Sequence, residues 1–598
     1  MKQPITISAI HDAYRSGILT PHKLLHRCLQ HAQADDNHAW ISVLSPKQLD
    51  DYLQKLAGHS PDDLPLFGIP FAIKDNIDLA DLPTTAACPN YAYQPLESAF
   101  VVQQLIAAGA IPLGKTNLDQ FATGLVGVRS PYGACQNSFD PAYISGGSSA
   151  GSAVSVATGQ VCFSLGTDTA GSGRVPASFN NLYGLKCTKG RVSCTGVVPA
   201  CQSLDCVTIF TATAADAKAV WQVAGAFDPL DPFARAAVLA KAIPATFKFG
   251  VPAPEQLAFF ADEAAEVLFW QSVETLTELG GEAVTINLEP FVQAAKLLYD
   301  GPYVAERLAA IKDFFRDDPT RCLPVIQTIV GGAEKRSAVE AYEALYALQR
   351  FKRVTDAELA NVDFIVTPTA GTIYPIADVE ADPIQLNSNL GYYTNFMNLL
   401  DYCAIAIPSG FRISGPKRGL PFGVTLFAPA FQDDALLAIA DQWQRKLGLP
   451  LGATGQAFPA DTPIVIQPMN GMINVVVCGA HLSGLPLNWQ LIDRNAFLKQ
   501  TTSTANAYRM YALAGGPPYR PGLIRDTDNG ATITVEVWSV PAEHFGSFVA
   551  GIPAPLGIGK VQLHDGSWVS GFICEPYGLD GATEITQLGS WRAYLASK

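Results

Sequence analysis

The spacing of apolar positions changes along the chain, and each spacing predicts a different kind of element. Within the first sixty residues Leu24, Leu25, Cys28 and Leu29 form an apolar stripe at helical spacing beside charged neighbours, so this stretch reads as helices leading into the main domain. From Leu66 onward the chain turns to short apolar runs, helical patterns and glycine-rich turns: Phe67 to Ile73, Val101 to Ala110, Ala110 to Leu113, and Val161 to Leu165. Uninterrupted apolar runs suit strands buried on both faces, and strands alternating with helices predict an α/β domain. Between Gly452 and Pro468 the residues are mostly Gly, Ala, Thr and Pro, which leave little to bury. Beyond that stretch Ile473 to Val477, Thr532 to Trp538 and Lys560 to Leu563 read as strands, with turns at Asp528-Asn529-Gly530 and Asp565-Gly566. The expected organisation is a large α/β domain over 1–452, a linker over 453–468 and a small β-rich domain over 469–598.

Composition narrows what such a molecule does. A chain of 598 residues exceeds what one hydrophobic core organises, in keeping with two domains. The formal charge of -14, without Lys and Arg clusters, argues against a nucleic-acid partner and for a small-molecule substrate. No apolar stretch approaches the eighteen or so residues of a membrane helix. The start, Met1 to Pro4, leads into a helical pattern around Ile10, Ala13 and Tyr14 instead of a signal core, so a cytoplasmic location is expected. The 12 cysteines are scattered. The closest group, Cys187, Cys194, Cys201 and Cys206, lacks the C-x-x-C spacing of a zinc site and reads as reduced core residues.

Candidate chemistry concentrates between Lys74 and Arg174. Gly146 to Gly151 (GGSSAG) opens an alanine- and valine-rich helical segment, and Gly166 to Arg174 (GTDTAGSGR) follows an apolar strand. Both are loops with exposed hydroxyls and glycines that let backbone N–H groups approach a reacting oxygen. Gly147 to Gly151 also fits a G-x-S-x-G nucleophile elbow around Ser149, but the histidine base is missing: residues 60 to 480 contain no histidine at all. A serine hydrolase without histidine needs another base, and a lysine serves once burial depresses its pKa. Lys74, at the end of the apolar run Phe71 to Ile73, suits this requirement; a structural pairing with Asp75 or Asp78 is the alternative, and Lys115, Lys186 and Lys189 compete for the role.

Lys74, Gly146 to Ser152 and Gly166 to Pro176 together resemble the amidase signature family, in its order and with twenty-four residues between Ser148 and Ser172. The resemblance covers roughly residues 5 to 450. It implies a mixed β-sheet core covered by helices, with Ser172 as nucleophile, Ser148 as bridging serine preceded by a cis peptide bond, and Lys74 as base. Backbone N–H groups of Thr169, Ala170, Gly171 and Ser172 would hold the oxyanion. The family's paired glycines before the nucleophile read Ala170-Gly171 here, which keeps the backbone donors. Thr116 to Gly127, Leu298 to Arg307, Asp382 to Gly391 and Cys478 to Asn488 are most similar to the family's allophanate-hydrolysing branch. That likeness implies a carboxylated urea as substrate, with Arg307 as a planar fork for its carboxylate, Tyr299 donating to the same end and Gly124 allowing close backbone approach. It also implies a homodimer and a functional link to a urea carboxylase or a biuret hydrolase; the sequence shows neither a Walker loop nor a clustered His, Cys and carboxylate metal set, so no cofactor or metal is expected. The terminal domain resembles the γ-glutamyl cyclotransferase-like fold, and its His481 is left outside the catalytic set. Two alternatives share the first motifs: an amidase of other small amides, and a tRNA-dependent transamidase, working on aminoacyl-tRNA alongside partner chains.

Overall fold

The computed structural model describes residues 5–238, 243–299, 301–459, 472–494 and 496–598. It divides into two compact units, Met1–Ile464 and Val465–Lys598. The first unit is built on one mixed sheet. Its strands are β1 (Trp40–Val43), β2 (Pro70–Lys74), β3 (Ile111–Thr116), β4 (Phe163–Asp168), β5 (Tyr183–Lys186), β6 (Cys206–Thr211), β7 (Phe247–Pro252), β8 (Gly281–Ile286), β9 (Phe364–Pro368), β10 (Tyr402–Phe411) and β11 (Pro421–Pro429). They lie in the order β1-β3-β2-β4-β6-β5-β10-β11-β9-β7-β8. Neighbours β3, β2 and β4 run parallel, as do β9, β7 and β8, while the strands between them are antiparallel. Every residue of β2, β3, β4, β5, β6 and β9 is buried, as uninterrupted apolar runs demand of strands covered on both faces.

Two local readings differ from the sequence pattern. The stretch expected to be helical contains β1, four residues that pair antiparallel with β3 at the edge of the sheet; Trp40, Ile41 and Val43 are strand formers, but too few to show a period. The run beginning at Phe67 does not enter the sheet until Pro70, because Gly68 turns the chain at φ +65° and the N–H of Ile69 returns to Leu66 O.

The helix Ala150–Ala157 consists of Ala, Gly, Ser and Val, all buried. Its small residues are required by closeness: a Cβ on Gly151 would collide with Ala39 O and meet Asn117 N at 2.7 Å. The expected linker over 453–468 lies outside the described residues from 460 onward. Its start is tied to the first unit, for Ala453 N–H donates to Ala157 O and Asn181 donates to Pro450 O and Gly452 O.

The second unit is β-rich. Its strands are β12 (Met472–Val477), β13 (Phe497–Ser503), β14 (Tyr508–Ala512), β15 (Pro521–Arg525), β16 (Thr534–Pro541), β17 (Leu556–Gln562), β18 (Trp568–Cys574) and β19 (Thr583–Glu584). A five-stranded sheet runs β13-β16-β12-β18-β17 and a three-stranded one β15-β14-β19. Its own core gathers Val475, Val477, Tyr508, Met510, Val537 and Trp591.

Candidate active site

The parallel strands β2 and β4 end side by side: β2 ends on Lys74, the loop after β4 carries Ser172, and Ser148 comes from the loop before the helix Ala150–Ala157. Lys74 is the last residue of β2 and is wholly buried. Its Nζ donates to Ser148 Oγ at 2.8 Å and to Thr167 Oγ1 at 2.7 Å. No carboxylate among the described residues pairs with it, since Asp75 is taken by Lys115 at 3.0 Å. Burial pushes the Lys74 ammonium down to about 7, against the pull of Asp119, Asp205 and Asp168 at longer range. The competitors are engaged elsewhere: Lys115 with Asp75, Lys186 with the carbonyls of Tyr402 and Cys187, and Lys189 with Ser203 O at 3.5 Å.

Ser148 sits in the loop before the helix Ala150–Ala157, and the Gly147–Ser148 peptide is cis. A Cβ on Gly147 would run into the Asp119 carboxylate. Asp119 itself organises this side of the site. Its N–H donates to Ser148 O, and its carboxylate accepts the N–H groups of Val126, Gly127 and Arg129 at 3.1, 3.0 and 2.9 Å. A buried carboxylate satisfied by several backbone donors holds a loop rigid.

The loop after β4 is held by a second buried acid. Asp168 pairs with Arg174 through two contacts of 2.9 Å and accepts the N–H groups of Gly171 at 2.8 Å and Gly173 at 3.0 Å. Burial alone would raise its pKa, but the Arg174 guanidinium and these donors hold it below the usual carboxylate range. The Gly171 N–H is therefore occupied, which departs from its expected place among the oxyanion donors. The N–H groups of Thr169, Ala170 and Ser172 have no acceptor among the described residues. Gly171 adopts φ +129°, and a Cβ there would collide with the Thr394 side chain. The Thr169 hydroxyl donates to Asp205, which also accepts the N–H groups of Ala200 and Cys201. Asp205 is buried without a cation partner among the described residues, and burial pushes its carboxyl up to about 6.

Lys74 and Ser148 are thus joined directly, whereas Ser172 Oγ points to Gly124 O at 3.4 Å instead of to Ser148. No hydrogen bond joins Ser172 Oγ to Ser148 among the described residues; catalytic hydrogen bonds commonly tighten only when substrate is bound. Gly124 has φ +155°, and a Cβ there would meet Asp119 Oδ2 at 2.7 Å.

Arg307 arrives from the helix Tyr303–Asp317, and Tyr299 ends the helix Glu289–Tyr299 before it. Only 3% of Arg307 is exposed, and no carboxylate pairs with it among the described residues. Nη1 donates to Thr123 Oγ1 at 3.1 Å, Nη2 to Tyr299 Oη at 3.4 Å, and Nε has no partner among the described residues. A buried guanidinium without a counter-ion is costly unless a ligand anion supplies one. Sequence reasoning missed Asp119, Thr167, Asp168 and Asp205 as organisers, and Thr123 as the neighbour of Arg307. In the second unit His481 bonds Gln490 at 3.0 Å, stacks on Phe572 and lines a cavity of about 390 Å³.

Comparison with known proteins adds a second line of observation. Residues 23–437, more than half of the chain, match the family model described as Amidase. The chain belongs to this amidase family. Residues 473–596 match the model described as Allophanate hydrolase C-terminal domain. The urea amidolyase of Saccharomyces cerevisiae is 43% identical over 578 residues, covering 94% of this chain but 31% of the yeast protein, so this amidase spans about a third of that relative's length. A solved structure of Kluyveromyces lactis allophanate hydrolase is 40% identical, covers 97% of either chain and superposes with a TM-score of 0.82. A glutamyl-tRNA(Gln) amidotransferase chain of Chloroflexus aggregans is 31% identical over 482 residues, covering 74% of this chain and 96% of the relative.

Proposed function

We propose that this amidase hydrolyses allophanate, the N-carboxylate of urea, at its terminal amide. The observation that carries the reading is the buried Arg307, free of any carboxylate partner among the described residues and beside Tyr299 and Thr123, in the unit that holds the Lys74–Ser148 pair. Its guanidinium offers a planar fork to a carboxylate, and only a substrate bearing one relieves the buried charge. The likeness to allophanate hydrolase supports the same substrate and extends over 97% of the chain, against 74% for the transamidase relative.

In this mechanism neutral Lys74 takes a proton from Ser148, which takes one from Ser172. Ser172 Oγ attacks the amide carbonyl, and the N–H groups of Thr169, Ala170 and Ser172 receive the developing oxyanion. Removing one such donor costs about 3 to 4 kcal/mol of barrier, so this loop carries much of the rate. The tetrahedral intermediate collapses, the returned proton leaves with ammonia, and Ser172 remains acylated by the carboxylated carbamoyl group. Water attacks by the same relay in reverse, releasing N-carboxycarbamate, which loses carbon dioxide on the way to a second ammonia. No cofactor takes part. The reading includes a cytoplasmic homodimer supplied by a urea carboxylase or a biuret hydrolase. The name of the yeast relative, urea amidolyase, speaks for urea as the upstream compound and so for the first of these suppliers, while this chain covers 31% of that relative.

The test measures ammonia release from allophanate, biuret, malonamate and simple aliphatic amides by wild type and Arg307→Ala. Allophanate turnover with a raised KM in Arg307→Ala is expected. Turnover of uncharged amides with allophanate untouched would overturn the substrate assignment while leaving the serine chemistry standing.

A further inference from the structure

Among the described residues, one cluster of side chains outside the proposed catalytic set combines metal-binding chemistry with metal-binding spacing. The helix Pro21–Gln33 starts from Thr20, whose hydroxyl accepts the N–H of Lys23, with Pro21 in its first turn. His22 and His26, four residues apart, share one face of it. Their rings lie 4.3 Å apart between centroids with a tilt of 37°. The following helix, Pro46–Lys55, packs on the first and carries Asp50. Asp50 Oδ1 stands 2.8 Å from His26 Nε2 and 4.0 Å from His22 Nε2. All three donor atoms lie within 4.8 Å of one another.

A hydrogen bond between His26 and Asp50 accounts for two of these residues but not for the third. The His22 side chain is 70% exposed, yet its Nε2 stands 4.0 Å from the same carboxylate oxygen. Ligand atoms about 2.0 to 2.2 Å from a tetrahedral ion stand roughly 3.4 Å from each other, a figure the observed spacings bracket. Small χ rotations of partly exposed side chains bring the three onto one centre.

We propose that His22, His26 and Asp50 bind one divalent cation of the zinc, nickel or copper kind. Two imidazoles and one carboxylate favour these ions, whereas magnesium and calcium take oxygen donors. The ion bridges two helices that otherwise meet through apolar contacts, so its effect is to tie the N-terminal layer together. None of the three residues bonds to the Lys74, Ser148 or Ser172 loops, and amide hydrolysis is unchanged by their replacement.

The experiment titrates full-length, chelator-treated protein with zinc chloride by calorimetry, with wild type beside His22→Ala/His26→Ala and Asp50→Asn, and repeats thermal unfolding with and without zinc. Ammonia release by each protein verifies that the variants are folded. Wild type is expected to bind one more zinc per chain than the double variant and to gain Tm on zinc addition, as any ligand of the folded state produces. Asp50→Asn weakens the site at least about tenfold. Equal stoichiometry and equal Tm shifts in wild type and the double variant, or no zinc binding by wild type, would overturn the proposal.

Discussion

In the proposed mechanism, the buried charge of Lys74 sets the pH dependence of turnover. Burial brings its ammonium to about 7, and only the neutral amine can accept the Ser148 proton. The sign follows: below about 7 the lysine is protonated and idle, so kcat/KM falls about tenfold per pH unit there, and above it levels off. Ammonia release followed from pH 5.5 to 9 checks this, and a rate flat through that range would remove Lys74 from the role of base. Lys74→Arg keeps the cation and stays protonated, so turnover falls by about 10² to 10⁴. At this scale the sequence left Lys74 open to competition from Lys115, Lys186 and Lys189, and the motif resemblance decided it. The structure supports the proposal for Lys74, since Lys115 pairs with Asp75 and Lys186 with backbone carbonyls. Asp205 was not legible. It stands alone in the sequence, and its contact with Thr169 exists only because β6 folds back beside β4.

In the proposed mechanism, turnover depends on the loop between β4 and the helix Val175–Phe179. It is tethered at two points, by Asp168 to Gly171 and Gly173, and by Asp205 to the Thr169 hydroxyl. Thr169→Val removes the second tether while leaving every backbone donor in place. The donors lose alignment, and kcat falls by about 10²-fold with little change in KM, since a displacement near 1 Å costs that much. Steady-state kinetics on allophanate separates the two constants; a raised KM with kcat intact would mean the loop serves binding instead. Gly171→Ala forces a Cβ into the Thr394 side chain at φ +129° and lowers both Tm and turnover, read by thermal unfolding and the same assay. Buried strands such as β3 and β4 were visible as apolar runs. Short β1 and the Gly68 turn were hidden, because four residues carry no period and a turn's φ leaves no hydrophobic signature.

Across the whole molecule, the α/β fold class and the small β-rich terminal unit were readable from patterning, and the amidase motifs from their resemblance to the family. What patterning could not show is convergence: Tyr299 and Arg307 lie close in sequence, but Thr123 comes from a distant segment and meets Arg307 only in the fold. Net charge acts at this scale too. A chain of formal charge -14 repels an anionic substrate beyond the reach of Arg307, and salt screens that repulsion over a Debye length of about 8 Å. Raising ionic strength from low to physiological values therefore increases kcat/KM for allophanate, by less than about tenfold, and leaves uncharged amides unaffected. A decrease for allophanate would show that the local field at Arg307 dominates.

The most direct test of the central claim compares ammonia release from allophanate by wild type and by Ser172→Ala at equal folded concentration. The account predicts turnover by wild type and none by Ser172→Ala. Comparable ammonia release from both proteins would contradict it, whatever the other substrates show.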